Sequence, residues 1–371
     1  MRRLFSIAVL FCLVVPICLL APVPGVSATG FTSDNVNYVT TVPIEAGSPT
    51  GARLVGDHLY VAGAKSFSIY DVSAPLDPKL LSITPVGFYF ANEDVDTNGE
   101  ILLITGDTGR KQLGVYSVED KTAPRELAVV TGVTDHNFAC VMDCRWAYGS
   151  RGSIVDLREP SNPVVAASWG GGITPADGYD TTEVSNGRIL TATRMIRLLD
   201  ARKDPLNPKT LAMGSTSDQR LIHSVRWPRR MRDRFFLVQG ETPFSQTCNE
   251  DSGAFMTWDA SDWRKTHTFR MIDEYRVQNG TMVDGNPPAN GAGCTAMWFQ
   301  EHPKFHNGGL VASSFFEHGT RFLEVDAAGE ISERGYFVPF GGSTIASYWI
   351  TGEVVYSIDL VRGIDILTFE S

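Results

Sequence analysis

The stretch Ser153-Ile154-Val155-Asp156-Leu157-Arg158-Glu159-Pro160-Ser161-Asn162-Pro163-Val164-Val165-Ala166-Ala167 holds two short apolar runs separated by an acidic residue and a turn with two prolines. The same order recurs at Ser68-Ile69-Tyr70-Asp71-Val72-Ser73-Ala74-Pro75, followed by Pro78-Lys79-Leu80-Leu81-Ser82-Ile83. It recurs again at Arg197-Leu198-Leu199-Asp200-Ala201-Arg202-Lys203-Asp204-Pro205, followed by Pro208-Lys209-Thr210-Leu211-Ala212, and Pro124-Arg125-Glu126-Leu127-Ala128-Val129 repeats the second half. Runs this short, rich in Val, Ile, Leu and Tyr and closed by Asp, Pro and Asn, read as paired strands rather than helices.

Ahead of these runs the chain repeats a second signal. Turns at Gly56, Gly99, Asp143, Gly187, Asp233, Gly308 and Gly352 each precede another strand-like run, with successive spacings of 43, 44, 44, 46, 75 and 44. Examples are His58-Leu59-Tyr60-Val61-Ala62, Gly99 before Glu100-Ile101-Leu102-Leu103-Ile104, and Glu353-Val354-Val355-Tyr356-Ser357. Seven units result, one carrying an insertion, and four strands in about 40–45 residues is the length of a propeller blade. The expected fold is therefore all-β, a seven-bladed β-propeller. The seventh unit supplies strands at 354–357 and 363–369 and then stops without a fourth. Asn37-Tyr38-Val39-Thr40-Thr41-Val42 resembles the fourth-strand segments, so the mature N-terminal strand is expected to join the last blade and close the ring. One domain over 29–371 follows, with insertion loops at about 240–257 and 273–296.

Asp156 to Pro163, Tyr70 to Pro75 and Leu199 to Pro208 resemble the LVIVD repeat, whose units carry a Val-Asp-Val-Ser-x-Pro-x-x-Pro-like turn. The last third, with Gly319-Thr320-Arg321-Phe322-Leu323-Glu324-Val325, Gly335-Tyr336-Phe337 and the run from Tyr356 to Leu367, is similar to exported bacterial members of that family. The resemblance covers most of 37–369 and implies a propeller fold. It is silent on chemistry, because the shared residues build turns. In the fifth unit Trp258-Asp259-Ala260-Ser261-Asp262 replaces the proline-bearing turn, which leaves that blade's boundaries open.

Arg2 and Arg3 precede an apolar stretch from Phe5 to Leu20, and Val26-Ser27-Ala28 places small residues at cleavage positions. This is the layout of a secretory signal peptide over 1–28. Pro16 interrupts the stretch, which is shorter than the roughly 20 residues a membrane span needs, so no span is expected after cleavage. Arg2-Arg3-Leu4-Phe5 is compatible with a twin-arginine signal, whereas the apolar core favours the general export route. The expected location is secreted, extracellular or associated with the cell envelope. The full chain of 371 residues carries 42 acidic and 32 basic side chains, a net charge of −10 that becomes −12 without Arg2 and Arg3. That balance argues against nucleic acid and anionic membranes as partners. With 43% hydrophobic residues, 35 Gly and 20 Pro but no Gly-x-y register or heptad run, the chain is not collagenous, coiled-coil or disordered.

Cys12 and Cys18 leave with the leader, and Cys140, Cys144, Cys248 and Cys294 remain. An even number in an exported chain suggests disulfides. Three pairings are open, and the favoured one joins Cys140 to Cys144 across a hairpin and Cys248 to Cys294 between long loops. A metal cluster is disfavoured, since no Cys-x-x-Cys occurs.

No nucleophile elbow, P-loop, His-Glu-x-x-His or Gly-x-Gly-x-x-Gly string is present. Glu301-His302 and His306 read as surface residues of a hairpin, and Trp258, Trp263, Trp298 and Phe299 as core. Asp94-Val95-Asp96-Thr97-Asn98-Gly99 opens like a calcium loop, but Thr105 stands where that loop wants Glu and Asn98-Gly99 already reads as a hairpin turn. Asn279-Gly280-Thr281 is a glycosylation sequon. The arginines of Trp227-Pro228-Arg229-Arg230-Met231-Arg232-Asp233-Arg234 are expected on a solvated turn able to dock an acidic partner.

In a propeller the first strand of each blade lines the channel. Polar residues recur where the chain enters that strand: Asn92-Glu93-Asp94, Asp135-His136-Asn137, Asp177 to Asp180, and Ile222-His223-Ser224. Glu93, Asp94, Asp135, His136, Asp180 and His223 are therefore the candidate ligand-binding residues. Imidazole with carboxylate is a donor set for a first-row metal, with Asp135 placed to orient His136. The alternative use of the same groups is to hydrogen-bond blade to blade and satisfy a polar tunnel. A looser resemblance, to copper-using selenium-binding proteins with methanethiol oxidase activity, transfers no motif residue by residue.

Two functions follow as hypotheses. The first is an exported monomeric propeller that binds a protein or small-molecule ligand, with no cofactor. The second is a redox enzyme holding a transition-metal ion on His136 and His223.

Overall fold

The computed structural model describes residues 30–86, 95–106, 111–170, 178–216, 221–241, 253–277 and 295–371, together with the backbone of 26–27. Seven antiparallel sheets follow one another along the chain, each running from inner to outer strand in sequence except that N-terminal strands form the outer strand of the seventh and extend the sixth. The inner strands are Pro49–Val55, Val95–Thr97, Phe138–Val141, Asp180–Ser185, Leu221–Arg226, Phe299–Glu301 and Thr344–Trp349. The chain is a seven-bladed β-propeller. All seven turns read from the sequence fall between the inner and second strands of a blade.

The recurring Asp is a turn device. Asp71, Asp120, Asp156, Asp200, Asp259 and Asp326 each accept the backbone N–H two residues on, with distances from 2.7 to 3.2 Å. These Asx-turns reverse the chain from third to outer strand, which is why the motif returns without chemistry attached. Arg158 and Arg202 reinforce two of them by pairing with Asp156 and Asp200. In the fifth blade Asp259 keeps the turn, and the short helix Trp263–Thr266 takes the place of the proline segment.

Packing follows the same period. Each junction between neighbouring blades has its own apolar cluster, from Tyr60, Ile69, Leu102 and Tyr116 between blades one and two to Tyr70, Ile345, Tyr356 and Ile366 between seven and one. The other five junctions are filled alike. Trp258, Trp263 and Phe299 are core residues, as expected.

Val36–Val42 pairs with Gly363–Phe369 as the outer strand of the seventh blade, so the ring closes as the sequence predicts. The chain just before it does more than expected. Gly30–Thr32 pairs with Phe337–Pro339 and adds a further strand to blade six, and Val26–Ser27 pairs with it in turn. Residues 1–25 lie outside the described residues, and among those described no helix is long and apolar enough to cross a membrane.

The Cys140–Cys144 disulfide is present. Cys248, Cys294 and the sequon at Asn279 lie outside the described residues. The proposed insertion loops are narrower than their sequence bounds. Phe235–Glu241, Ala254–Asp259 and Arg270–Tyr275 are strands of blade five, so 254–257 and 273–275 belong to the sheet.

Candidate functional site

The polar residues of the inner strands first of all stitch the ring together. Arg53 of blade one pairs with Asp96 of blade two at 3.0 Å, and Asp96 also accepts the Cys140 N–H of blade three at 2.8 Å. Asn137 donates to Asp180 of blade four at 2.9 Å, and the other oxygen of Asp180 accepts the Val225 N–H of blade five at 3.2 Å. Ser224 donates to the Met297 carbonyl at 2.8 Å, the Trp298 N–H to the Ile345 carbonyl at 3.0 Å, and the Tyr348 hydroxyl to the Ala52 carbonyl. Every blade junction is thus crossed at the channel wall, and the groups that make these crossings gain the partners that burial demands.

Burial raises the pKa of Asp180, opposed by the Asn137 and Val225 hydrogen bonds and by nearby His223 and Arg53. Asp135 is raised for the same reason, but its position is different from the one expected. It accepts the Arg151 N–H at 2.7 Å and the Ser153 N–H at 3.3 Å, lying against Gly149 so closely that a Cβ there would stand 2.2 Å from its carboxyl carbon. Asp135 therefore fixes the turn between the second and third strands of blade three and does not orient His136. Sequence adjacency misleads here because the Asp135 carboxylate is taken up by the backbone of Arg151 and Ser153, a partner that only folding brings near.

At the N-terminal ends of the inner strands, four neighbouring blades bring rings together. His136 lies 4.7 Å from Tyr179, Tyr179 lies 5.6 Å from His223, and His223 lies 4.9 Å from Trp298, centroid to centroid. Both imidazoles are buried, whereas Tyr179 and Trp298 are half-buried. Two of the candidate residues, His136 and His223, are thus joined into one arc. Tyr179 and Trp298 complete it, and Trp298, expected in the core, is half-buried at the edge of the apolar cluster between blades seven and one. Glu93 and Asp94 lie outside the described residues. Asp96, missed as a candidate, is the same device as Asp180, and its signal was only an acidic residue inside an inner strand.

Among the described residues no three His, Cys, Asp or Glu side chains come together to hold an ion, Tyr179 stands between the two imidazoles, and Asp180 uses both oxygens for neighbouring blades. His302 is not a surface residue either: its ring is buried against Trp349, its Nε2 is 3.1 Å from the Gly352 carbonyl, and its Nδ1 accepts the Lys304 N–H. His306 is exposed as expected. The Asn98-Gly99 segment is a hairpin turn, with Asn98 Oδ1 accepting the Ile101 N–H at 2.8 Å and Gly99 at a φ of 96°.

Beside Trp298 of the arc lies a space of about 20 Å³ among Asp96, Asp180, Ser224, Arg226 and Tyr348. That is room for about one water.

A closed, blade-stitched ring with an aromatic arc at one mouth defines a propeller scaffold. Solved structures with which the chain is similar are WD40 propellers. It is 10% identical to the RRP9 WD40 repeats, covering 91% of this chain and 98% of that one at a TM-score of 0.61. It is 12% identical to the WD40 β-propeller domain of Doa1, covering 91% and 98% at 0.60. It is 13% identical to the Cps50 (Swd1) β-propeller domain of Myceliophteria thermophila, covering 90% and 100% at 0.59. At these identities the likeness is one of fold. No family model and no curated protein matches the chain.

Proposed function

We propose that this chain is an exported interaction module of the LVIVD-repeat kind, monomeric and without a cofactor, whose ligand docks at the N-terminal ends of the inner strands. The observation that carries the reading is the arc of His136, Tyr179, His223 and Trp298, drawn from four successive blades. Half-buried aromatic faces on a rigid wall are anchors for a partner, since little rotamer freedom is lost on binding. Among the described residues the carboxylates nearby, Asp96, Asp135 and Asp180, hold blades or turns, which leaves the rings for recognition.

A photo-reactive amino acid at position 179 of the exported protein, followed by mass spectrometry of cross-linked products, tests this. A recurrent partner that disappears in a Trp298→Ala variant with an intact fold supports the reading. Cross-links that survive that change overturn it. Elemental analysis separates the redox alternative: one copper, iron, zinc or manganese per chain, lost in His136→Ala and in His223→Ala, replaces a binding module with a metalloprotein. Export is checked by N-terminal sequencing of the released protein, which is expected to begin at Thr29.

A further inference from the structure

The opposite mouth of the channel has its own chemistry. There the C-terminal ends of inner strands from blades one, four, five and six surround a pocket of about 220 Å³, lined by Arg53, Glu183, Arg226, Arg229, Arg230 and Glu301 among others. Each carboxylate is already engaged. Glu183 accepts the Met142 N–H at 2.9 Å and the Gly187 N–H at 2.6 Å, and Glu301 holds Arg226 through both oxygens at 2.6 and 3.2 Å. Arg53 is paired with Asp96. Arg229 and Arg230 are exposed and have no carboxylate partner among the described residues. In a chain of net charge −10 this mouth is a local excess of guanidinium.

The backbone that presents these two arginines is strained. Arg229, Arg230 and Met231 lie in the left-handed region at φ of 51°, 54° and 67°. The corresponding turns of other blades use Gly56, Gly99, Gly187 and Gly308 for positive φ. A left-handed conformation is disfavoured for a non-glycine residue, and strain of this kind persists only where surrounding structure imposes it. Here Trp227 is buried in the core of blades four and five and donates from its indole N–H to the Asp233 carbonyl at 2.8 Å, with Pro228 buried beside it. The turn is thereby held with two charged forks over a pocket already walled by Arg53 and Arg226.

We infer that this mouth is a binding site for a small oxyanion, a phosphate- or carboxylate-bearing molecule, held by Arg229 and Arg230 with Arg53 and Arg226 behind them. Planar guanidinium forks match such groups in pairs of charge-assisted hydrogen bonds. The volume admits a small molecule and not a folded chain. The site lies at the opposite ends of the inner strands from the aromatic arc and stands whether or not a partner docks there.

The test is calorimetric titration of the whole chain with inorganic phosphate, with citrate and with a polyglutamate peptide. The expected result is saturable one-to-one binding of phosphate or citrate that weakens at least about tenfold in the double variant Arg229→Asn, Arg230→Asn, the loss of two charged hydrogen-bonding groups. Asn tolerates left-handed φ, so the turn is kept. Arg232→Gln, on the same turn but away from the pocket, is expected to bind as the parent does. If the double variant does not fold, thermal stabilisation of the parent by citrate beyond that of sodium chloride at equal ionic strength decides the matter. No saturable binding of either free anion, undiminished binding in the double variant, or binding of the peptide alone that disappears above about 0.3 M salt through screening overturns the inference.

Discussion

Asp180 is buried, charged when ionised and bonded to two other blades, which makes its titration a measure of ring stability. Its proton is held more tightly in the folded chain, because burial penalises the carboxylate. Its contribution to stability is therefore complete below the ordinary aspartate value of about 3.9 and declines as pH rises through the folded value. Asp180→Asn lacks that decline. As pH rises from about 4, the urea midpoints of the two proteins should shift in the variant's favour until the folded carboxyl has ionised, on top of a constant offset from the altered hydrogen bond to Val225. A difference that does not vary with pH would contradict the burial argument. Tyr356 offers a simpler case: from the second strand of blade seven its hydroxyl donates to the Pro75 carbonyl of blade one at 2.6 Å. The Tyr148 hydroxyl does the same for the Pro205 carbonyl of the next blade. Tyr356→Phe is expected to cost about 1 kcal/mol in denaturant unfolding, the net value of one hydrogen bond.

Among the secondary elements the hairpins between inner and second strands differ most in how they turn. Blade three uses Met142, Asp143 and Cys144, all at positive φ, where several other blades use glycine. The disulfide from Cys140 to Cys144 spans this turn and holds it closed. Because the loop it closes is short, reduction is expected to lower stability by about 2 kcal/mol, toward the lower end of the usual range. Denaturant melts with and without reductant measure this, and an unchanged midpoint with both thiols shown free would refute it. The element pattern was largely legible in the sequence: Asp, Pro and Gly mark turns by local bonding that needs no distant partner, so the seven hairpins and the acidic turns at Asp71, Asp156 and Asp200 could be placed. The blade-five loops were bounded too widely for the opposite reason. Their strands, such as Ala254–Asp259, are defined by pairing with Phe235–Glu241, which lies beyond any local signal.

For the whole molecule, the decisive feature is closure. Val36–Val42 comes from one end of the chain and Gly363–Phe369 from the other, and their pairing removes an open edge from the seventh blade. A chain beginning at residue 43 should melt well below the full ring and associate through the exposed edge of Gly363–Phe369. Scanning calorimetry and light scattering check the two effects, and a monomer with an unchanged melting temperature would show that closure contributes nothing.

By itself, the sequence determined the blade count, the direction of the chain through each blade, the turns and the closing strand, because each rests on residue types acting over a few neighbours and on a period repeated seven times. It also marked His136 and His223 as channel residues. Only the tertiary structure decided what those positions do. It placed Tyr179 and Trp298 beside the histidines, sent Asp135 to a turn, spent Asp96 and Asp180 on neighbouring blades, and gathered Arg53 with Arg226, Arg229 and Arg230 at the other mouth. Those outcomes depend on which side of a strand faces the channel and which blades stand across it, and such relations exist only once the ring has closed.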